Sequence, residues 1–404
     1  MFRIARSRAG ISYSRIAAEC DIKPERVGTL AKGQGRITTF DKVVEIADAL
    51  RIPGHMVGLA PRPWESGEPP AHTYDPQIGS TSVRRRAVLQ AATTTGLAAA
   101  LPALTRPPGT KRVSIQYVEQ LRHRTARLRR LDEILGGGDT YRVYLGEYQS
   151  TKALLRDSVF TPESRRRTWS LLAEQAQQAG WAAFDGGRQT QAESLYEESQ
   201  HAAREADDTD LLGNALAFLA YQAPDRNLAV EIAASGCSTI TPSTPSSVRA
   251  LLHERMAWAC AVADQPHQVE RALDAARSAL DDRQEGEPER DWASWVDATE
   301  LDIMTGRCWT ELRRPLRAVP VLTRALAQYD DHHARDKALY LSWLAASYLA
   351  AGEVEEAAAV TGRALNLSVG VASVRPRQRL APVLKELGQH RELSAVQDVL
   401  EKAV

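Results

Sequence analysis

A few side chains in this sequence have the type and spacing for recognition chemistry. Arg255 and Trp258, in HERMAWAC, lie three residues apart and share a face if the segment is helical. Tyr340 and Trp343 repeat that spacing. A guanidinium supplies planar hydrogen-bond donors and an aromatic ring supplies a flat apolar face, so these pairs suit capture of a peptide or small ligand. Asn214, in LLGNALAFLAYQ, adds an amide that can both donate to and accept from a bound peptide backbone. Each residue also has a plainer reading: the aromatics as core between stacked helices, and Asn214 as an exposed polar position.

Catalytic chemistry has no comparable support. The chain contains no H-E-x-x-H, G-x-S-x-G, dinucleotide-binding or P-loop pattern. Gly136-Gly137-Gly138 follows a helical pattern and lacks the Lys-Ser/Thr of a phosphate loop, so it reads as a turn. Asp330-Asp331-His332-His333 with Asp336 could hold a metal, but a polar turn before a helix is the simpler account. Cys20, Cys237, Cys260 and Cys308 form no C-x-x-C pair, and they read as small buried hydrophobes in a reducing cytoplasm. No enzyme, metal or cofactor is expected.

The elements that must position the recognition residues are helical. Residues 113–135 place Val113, Tyr117, Val118, Leu121, Leu128, Leu131, Ile134 and Leu135 against a basic face of Arg122, Arg124, Arg127, Arg129 and Arg130. Further on, small residues recur where paired helices would cross, with glycine at the turn between them. The clearest copy is Ala345, Tyr348, Gly352, Ala357 and Ala364. Gly180, Gly187, Ala192 and Tyr196 form another, and Gly306, Trp309, Ala318, Leu322 and Ala325 a third. Two degenerate copies fill 207–280, the second using Ala272, Ala276 and Ala279. Proline-marked loops are expected at 238–247, 282–290 and 374–377. This pattern resembles the tetratricopeptide repeat, whose helix pairs stack into a superhelix with a concave binding face.

The N-terminal segment reads differently. Ser12 is an N-cap for a helix running to about Cys20, with Ile16, Ala17 and Cys20 on a small apolar face. Asp21 makes the turn, and Pro24 opens a second helix. Val27 and Leu30 face back onto the first helix, while Arg26, Thr29 and Lys32 point outward and Gly33 closes the unit. Residues 37–50 add a third amphipathic helix through Phe40, Val43, Val44, Ala47 and Leu50. Residues 1–63 carry 11 Lys+Arg against 6 Asp+Glu, while the whole chain is neutral. A basic head on an acidic body fits nucleic-acid binding.

Residues 3–64 resemble the lambda-repressor-like helix-turn-helix domain of the XRE family of bacterial regulators. The ending Glu45-Ile46-Ala47-Asp48-Ala49-Leu50-Arg51-Ile52-Pro53-Gly54 through Pro63-Trp64 is similar to an actinobacterial branch. The resemblance implies that Tyr13, Arg26 and Thr29 approach base edges or backbone, with Glu25 beside them. It implies that Arg15, Lys32 and Arg36 meet phosphates. Met1 falls inside the expected first helix, which places the expected start upstream.

Between the two parts the composition shifts, with prolines at 61, 63, 69, 70, 76, 102, 107 and 108. Residues 82–104, SVRRRAVLQAATTTGLAAALPAL, resemble a twin-arginine export signal. Gln90, three threonines and Pro102 make this a poor membrane span, and its place far from the N-terminus favours a linker helix. A membrane-proximal role and an export signal after internal initiation are the other readings.

The expected architecture is therefore all-α. A helix-turn-helix domain occupies 1–64 and a linker 65–110, followed by an α-solenoid of tetratricopeptide-like pairs over 111–404. The expected function is cytoplasmic transcription regulation: a homodimer on double-stranded DNA, tuned by a peptide, small-molecule or protein effector, with no membrane partner. The alternative is an interaction scaffold whose head no longer reads DNA, for which Pro24, Glu25 and Gly28 count.

Overall fold

The structure is a computed structural model describing residues 112–403 apart from 136, 330–332 and 370, with the side chains of 130–135 also left aside. Nearer the N-terminus it describes Ile16, Ala17, Cys20, Ile22, Lys23, Glu25, Val27, Thr29, Ile46 and Asp48. The chain divides into two compact units, Met1–Leu104 and Thr105–Val404.

In the first unit Ile16 and Ala17 are helical and buried, and Cys20 is buried in a turn. The Cys20 N–H donates to the Ile16 carbonyl at 3.0 Å and the Ile22 N–H to that of Ala17 at 3.0 Å. Glu25, Val27 and Thr29 are helical, and Val27 alone of the three is buried. Ile46 is helical and buried as well. The expected linker and the twin-arginine-like segment lie outside the described residues.

In the second unit the described residues form fourteen α-helices and one pair of two-residue strands. The strands β1 (Arg112–Val113) and β2 (Val159–Phe160) pair in parallel. The helices are α1 (Ile115–Leu135), α2 (Gly137–Asp157), α3 (Pro162–Asp185), α4 (Gln189–Glu205), α5 (Thr209–Gln222), α6 (Arg226–Cys237) and α7 (Ser246–Val262). They continue as α8 (Pro266–Asp281), α9 (Ala298–Glu311), α10 (Pro315–Gln328), α11 (Ala334–Ala350), α12 (Val354–Ser368), α13 (Arg375–Leu387) and α14 (Ser394–Ala403). Each odd helix from α1 to α11 packs on the even helix after it and on the next odd helix. The odd helices thus form a continuous row. At the end of the chain α14 packs on α12.

Local chemistry sets the helix starts. Thr161 and Ser164 form a reciprocal capping box ahead of α3. Asp208, Asp225 and Asp297 cap α5, α6 and α9, accepting the N–H groups of Leu211 (3.2 Å), Leu228 (2.8 Å) and Glu300 (2.9 Å).

The turns between paired helices repeat one device. Gly187, Asp264, Arg313 and Gly352 each adopt positive φ, at 80°, 56°, 54° and 83°. The residue after each donates its N–H back into the preceding helix: Arg188 to Ala183 (2.8 Å), Gln265 to Cys260 (2.9 Å), Arg314 to Trp309 (2.8 Å) and Glu353 to Tyr348 (2.9 Å). Pro266 and Pro315 then open the following helices, where a missing N–H costs nothing. Only two of the four left-handed positions are glycine, so the sequence pattern showed only half of this regularity.

Paired helices approach most closely at small residues. A Cβ on Gly180 would lie 2.5 Å from the ring of the fully buried Tyr196, and one on Gly306 would run into Leu322. Ala257 and Ala345 are fully buried.

Two expectations need correction. Residues 375–377 begin α13, because Pro376 is tolerated in a first helical turn. Gly137 and Gly138 likewise open α2. A Cβ at Gly137 would sit 2.7 Å from the Ala182 carbonyl, so glycine permits a close approach there. The expected basic face of α1 is mostly spent inward: Arg122 and Arg129 reach Glu174, and Arg124 holds Glu147 at 2.8 Å.

The segment before α13 returns to the first pairs. Gly138 donates its N–H to the Ala372 carbonyl at 2.9 Å, and Val374 donates to the Asp185 carbonyl at 3.0 Å. The Asp185 carboxylate is fully buried. It accepts from Gly137 N–H (2.9 Å) and the Ser373 hydroxyl (2.7 Å), with Arg375 and Arg335 within 3.7 and 3.9 Å. No helix among the described residues is long and apolar enough to cross a membrane.

Glycine substitutions test the crossings by denaturant titration. Gly306→Ala is expected to cost about 1–3 kcal/mol by overpacking against Leu322. Gly146→Ala, in α2 with nothing within 4 Å of the added methyl, is expected to stabilise by about 0.5–1 kcal/mol.

Candidate ligand site

The crossing residues fix where their successors point. A residue that faces the partner helix turns the next one by roughly 100° around the axis, since a helix has about 3.6 residues per turn. Trp181 follows Gly180, Tyr221 follows Ala220, Trp258 follows Ala257 and Arg307 follows Gly306. The row of odd helices brings these side chains together. Tyr221 lies 6.5 Å from Trp181 and 5.8 Å from Trp258 between ring centroids. Trp258 meets Trp343 of α11 at 5.8 Å and an interplanar angle of 89°. The Arg307 guanidinium carbon occupies the corner of those perpendicular indoles, 4.5 Å from Trp258 and 4.2 Å from Trp343.

Further guanidinium groups converge on the same rings. Arg375, at the start of α13, lies 4.5 Å from Trp181, and Arg379 lies 4.8 Å from Trp343. Arg255 of α7 lies 5.7 Å from the Tyr221 ring and 5.8 Å from Trp295. The Tyr221 hydroxyl accepts from Arg307 at 3.0 Å and from Arg375 at 3.2 Å. Two of these cations have carboxylate partners: Arg379 bonds Glu311 at 2.8 Å, and Arg375 faces Asp185. Among the described residues no carboxylate pairs with Arg307 or Arg255. Arg307 is only 5 % exposed, and its Nε has no acceptor.

Burial weakens the nearby acids as counter-ions. Burial pushes the Glu254 carboxyl up to about 8, and its Oε1 has no donor. Burial, helped by the Asp336 charge, pushes Glu300 up to about 7 while it accepts from Tyr329 (2.9 Å) and Tyr340 (3.0 Å). For Tyr221 burial acts upward too, but the charges of Arg307, Arg375 and Arg255 outweigh it and bring the phenol down to about 7. The arrangement is a largely buried, cationic and aromatic-walled cluster with planar donors, exposed on the side of Trp295, chemistry suited to holding an anion.

Four of the sequence candidates, Arg255, Trp258, Tyr340 and Trp343, lie within this cluster; Arg307 is 5.9 Å from the Tyr340 ring. Asn214 lies apart and buried. Its Nδ2 donates to Gln177 Oε1 at 2.7 Å, and Gln177 Nε2 donates to Ser199 and the Leu211 carbonyl, linking α3, α4 and α5. The sequence reading missed Arg307, Tyr221, Trp181, Arg375 and Arg379. Trp181, Tyr221 and Arg307 each directly follow a small crossing residue, a position that sets direction but not burial, whereas Arg375 and Arg379 follow Val374 and Gln378 and carry no such signal.

In the first unit, Glu25 and Thr29 are exposed on one helical stretch, where the Thr29 hydroxyl donates to the Glu25 carbonyl at 2.8 Å. Tyr13, Arg15, Arg26, Lys32 and Arg36 lie outside the described residues. Neither protein-family models nor curated proteins give a match to the chain.

Tyr221 offers a direct check. Absorbance titration is expected to show one tyrosine ionising near pH 7, against about 10 for an ordinary phenol, and Tyr221→Phe is expected to remove that step. A lowered folded value stabilises the fold as pH rises from the folded to the unfolded value, and this contribution is lost as pH falls through about 7.

Proposed function

We propose that this chain is a sequence-specific, DNA-binding transcriptional regulator whose second unit senses an effector. In this reading the first unit is a helix-turn-helix head of the XRE type, working as a cytoplasmic homodimer on two half-sites. The second unit is an α-solenoid of tetratricopeptide-like pairs, and the row of odd helices is its ligand-binding face. The observation that carries the sensor role is Arg307, a buried cation with no carboxylate partner among the described residues, in a cluster built by successive helical pairs. The repeated left-handed turns and small crossing residues support the solenoid. Support for the head comes from the basic charge of residues 1–63, from buried Ile16, Ala17, Cys20 and Val27, and from exposed Thr29.

On DNA, Arg15, Lys32 and Arg36 neutralise phosphates, while Tyr13, Arg26 and Thr29, with Glu25 beside them, meet base edges or backbone. An effector that binds one arrangement of the heads better than another shifts the population between them by its difference in affinity.

The test is selection of bound sequences from a random duplex library with the full chain, followed by salt titration on the selected site. Arg26→Ala is expected to relax sequence preference. Lys32→Ala is expected to weaken binding to all sequences alike and to reduce the salt slope by about one. Enrichment of no sequence would overturn the regulator reading and favour an interaction scaffold.

A further inference from the structure

The effector's chemistry can be read from what the cluster lacks. Arg375 shares its charge with Asp185, and Arg379 with Glu311. Arg255 has no hydrogen bond or ion pair among the described residues, only the rings of Tyr221 and Trp295. Arg307 spends one donor on the Tyr221 hydroxyl while its Nε points at no acceptor. A buried guanidinium in this state has given up hydration that ring contacts alone do not replace. The rings hold its position and leave N–H groups for an incoming acceptor. Arg255 is partly exposed and Trp295, beside it, is 42 % exposed, which opens the cluster to solvent on that side.

We propose that Arg307 and Arg255, with the Tyr221 hydroxyl, bind a doubly charged oxyanion on the effector. The inference rests on the odd-helix row being the effector site. Two unpaired guanidinium groups match two negative charges, and the planar donor fork matches the paired oxygens of a phosphate or carboxylate. Before binding, Tyr221 is the provisional counter-ion. The charged groups facing it are Arg255 on α7, Arg307 on α9 and Arg375 and, farther off, Arg379 on α13, and from α3 it meets the rings of Trp181 and Phe184. An arriving anion takes over their charge. The phenolate then takes a proton from water and donates it as a hydrogen bond to the anion.

The full chain is titrated separately with inorganic phosphate and with succinate, using chloride at matched ionic strength as control. Tryptophan fluorescence reports binding, and tyrosinate absorbance reports the proton. One dianion is expected to saturate both signals and to bleach the tyrosinate band. Arg307→Gln and Arg255→Gln are each expected to weaken it by about tenfold or more, as loss of a hydrogen bond to a charged group does. Arg307→Lys, which keeps the charge and loses the fork, guards against misfolding and is expected to weaken it as well. Arg166→Gln, on an exposed turn of α3, is expected to change nothing. Tyr221→Phe is expected to bind while losing the absorbance change.

Tighter phosphate assigns a phosphoryl group, and tighter succinate a dicarboxylate. Binding no stronger than that of chloride, or unchanged in the Arg307 variants, overturns the inference. Selective DNA binding without anion binding defeats this inference alone. Anion binding without selective DNA binding defeats the regulator reading instead.

Discussion

Close approach of paired helices at a few small residues is the constraint on which the rest depends. Gly180 lies under the ring of Tyr196 and Gly306 under Leu322, so neither position has room for a methyl group. Interiors packed at crystal-like density transmit any displacement there to the neighbouring elements. Because the crossing residue is turned to its partner, its successor is turned to the next odd helix. Trp181, Tyr221, Trp258 and Arg307 meet for that reason. The packing rule and the aromatic–arginine cluster are one sequence feature seen from adjacent positions.

Placing a cation inside the cluster has opposing costs and gains. Taking an ion from water costs several kcal/mol, whereas a guanidinium–ring contact returns about 0.5–2 kcal/mol. For Arg307 burial is the largest single influence, but two indoles at short range and the neighbouring Tyr221, Tyr340 and Glu300 together outweigh it and favour the charged form. The surrounding core adds apolar burial on the same helix. Leu301, Ile303 and Cys308 on the same helix are fully buried, and the thiol is kept protonated by burial. A local rule broken at one place and compensated around it is typical of functional sites.

Much of the second unit was legible from residue types. Small residues at Gly180, Gly306 and Ala345 marked crossings, and Arg255–Trp258 and Tyr340–Trp343 marked two edges of the cluster. What was hidden has physical causes. Asp264 and Arg313 adopt the left-handed turn that glycine usually signals, so two helical pairs lacked their punctuation. Arg307 looks in sequence like any solvated arginine. Its burial depends on Trp258 and Trp343, which arrive from helices far along the chain. Arg375 and Asp185 are brought together by the return of the last helices to the first, and no local pattern encodes that. Asn214 was noticed for its amide, which the structure spends on Gln177.

The return of the chain at Asp185 changes how the second unit unfolds. A linear array of helical pairs is held by neighbour contacts alone, so it can fray from either end with the middle intact. Here the last pair is tied to the first through a buried carboxylate that holds a backbone amide, a hydroxyl and two guanidinium groups. Fraying at one end therefore exposes that charge network and loosens the other end too. The tie couples the first pairs to the segment before α13, so the helices between them open more nearly as one unit than an untied array would.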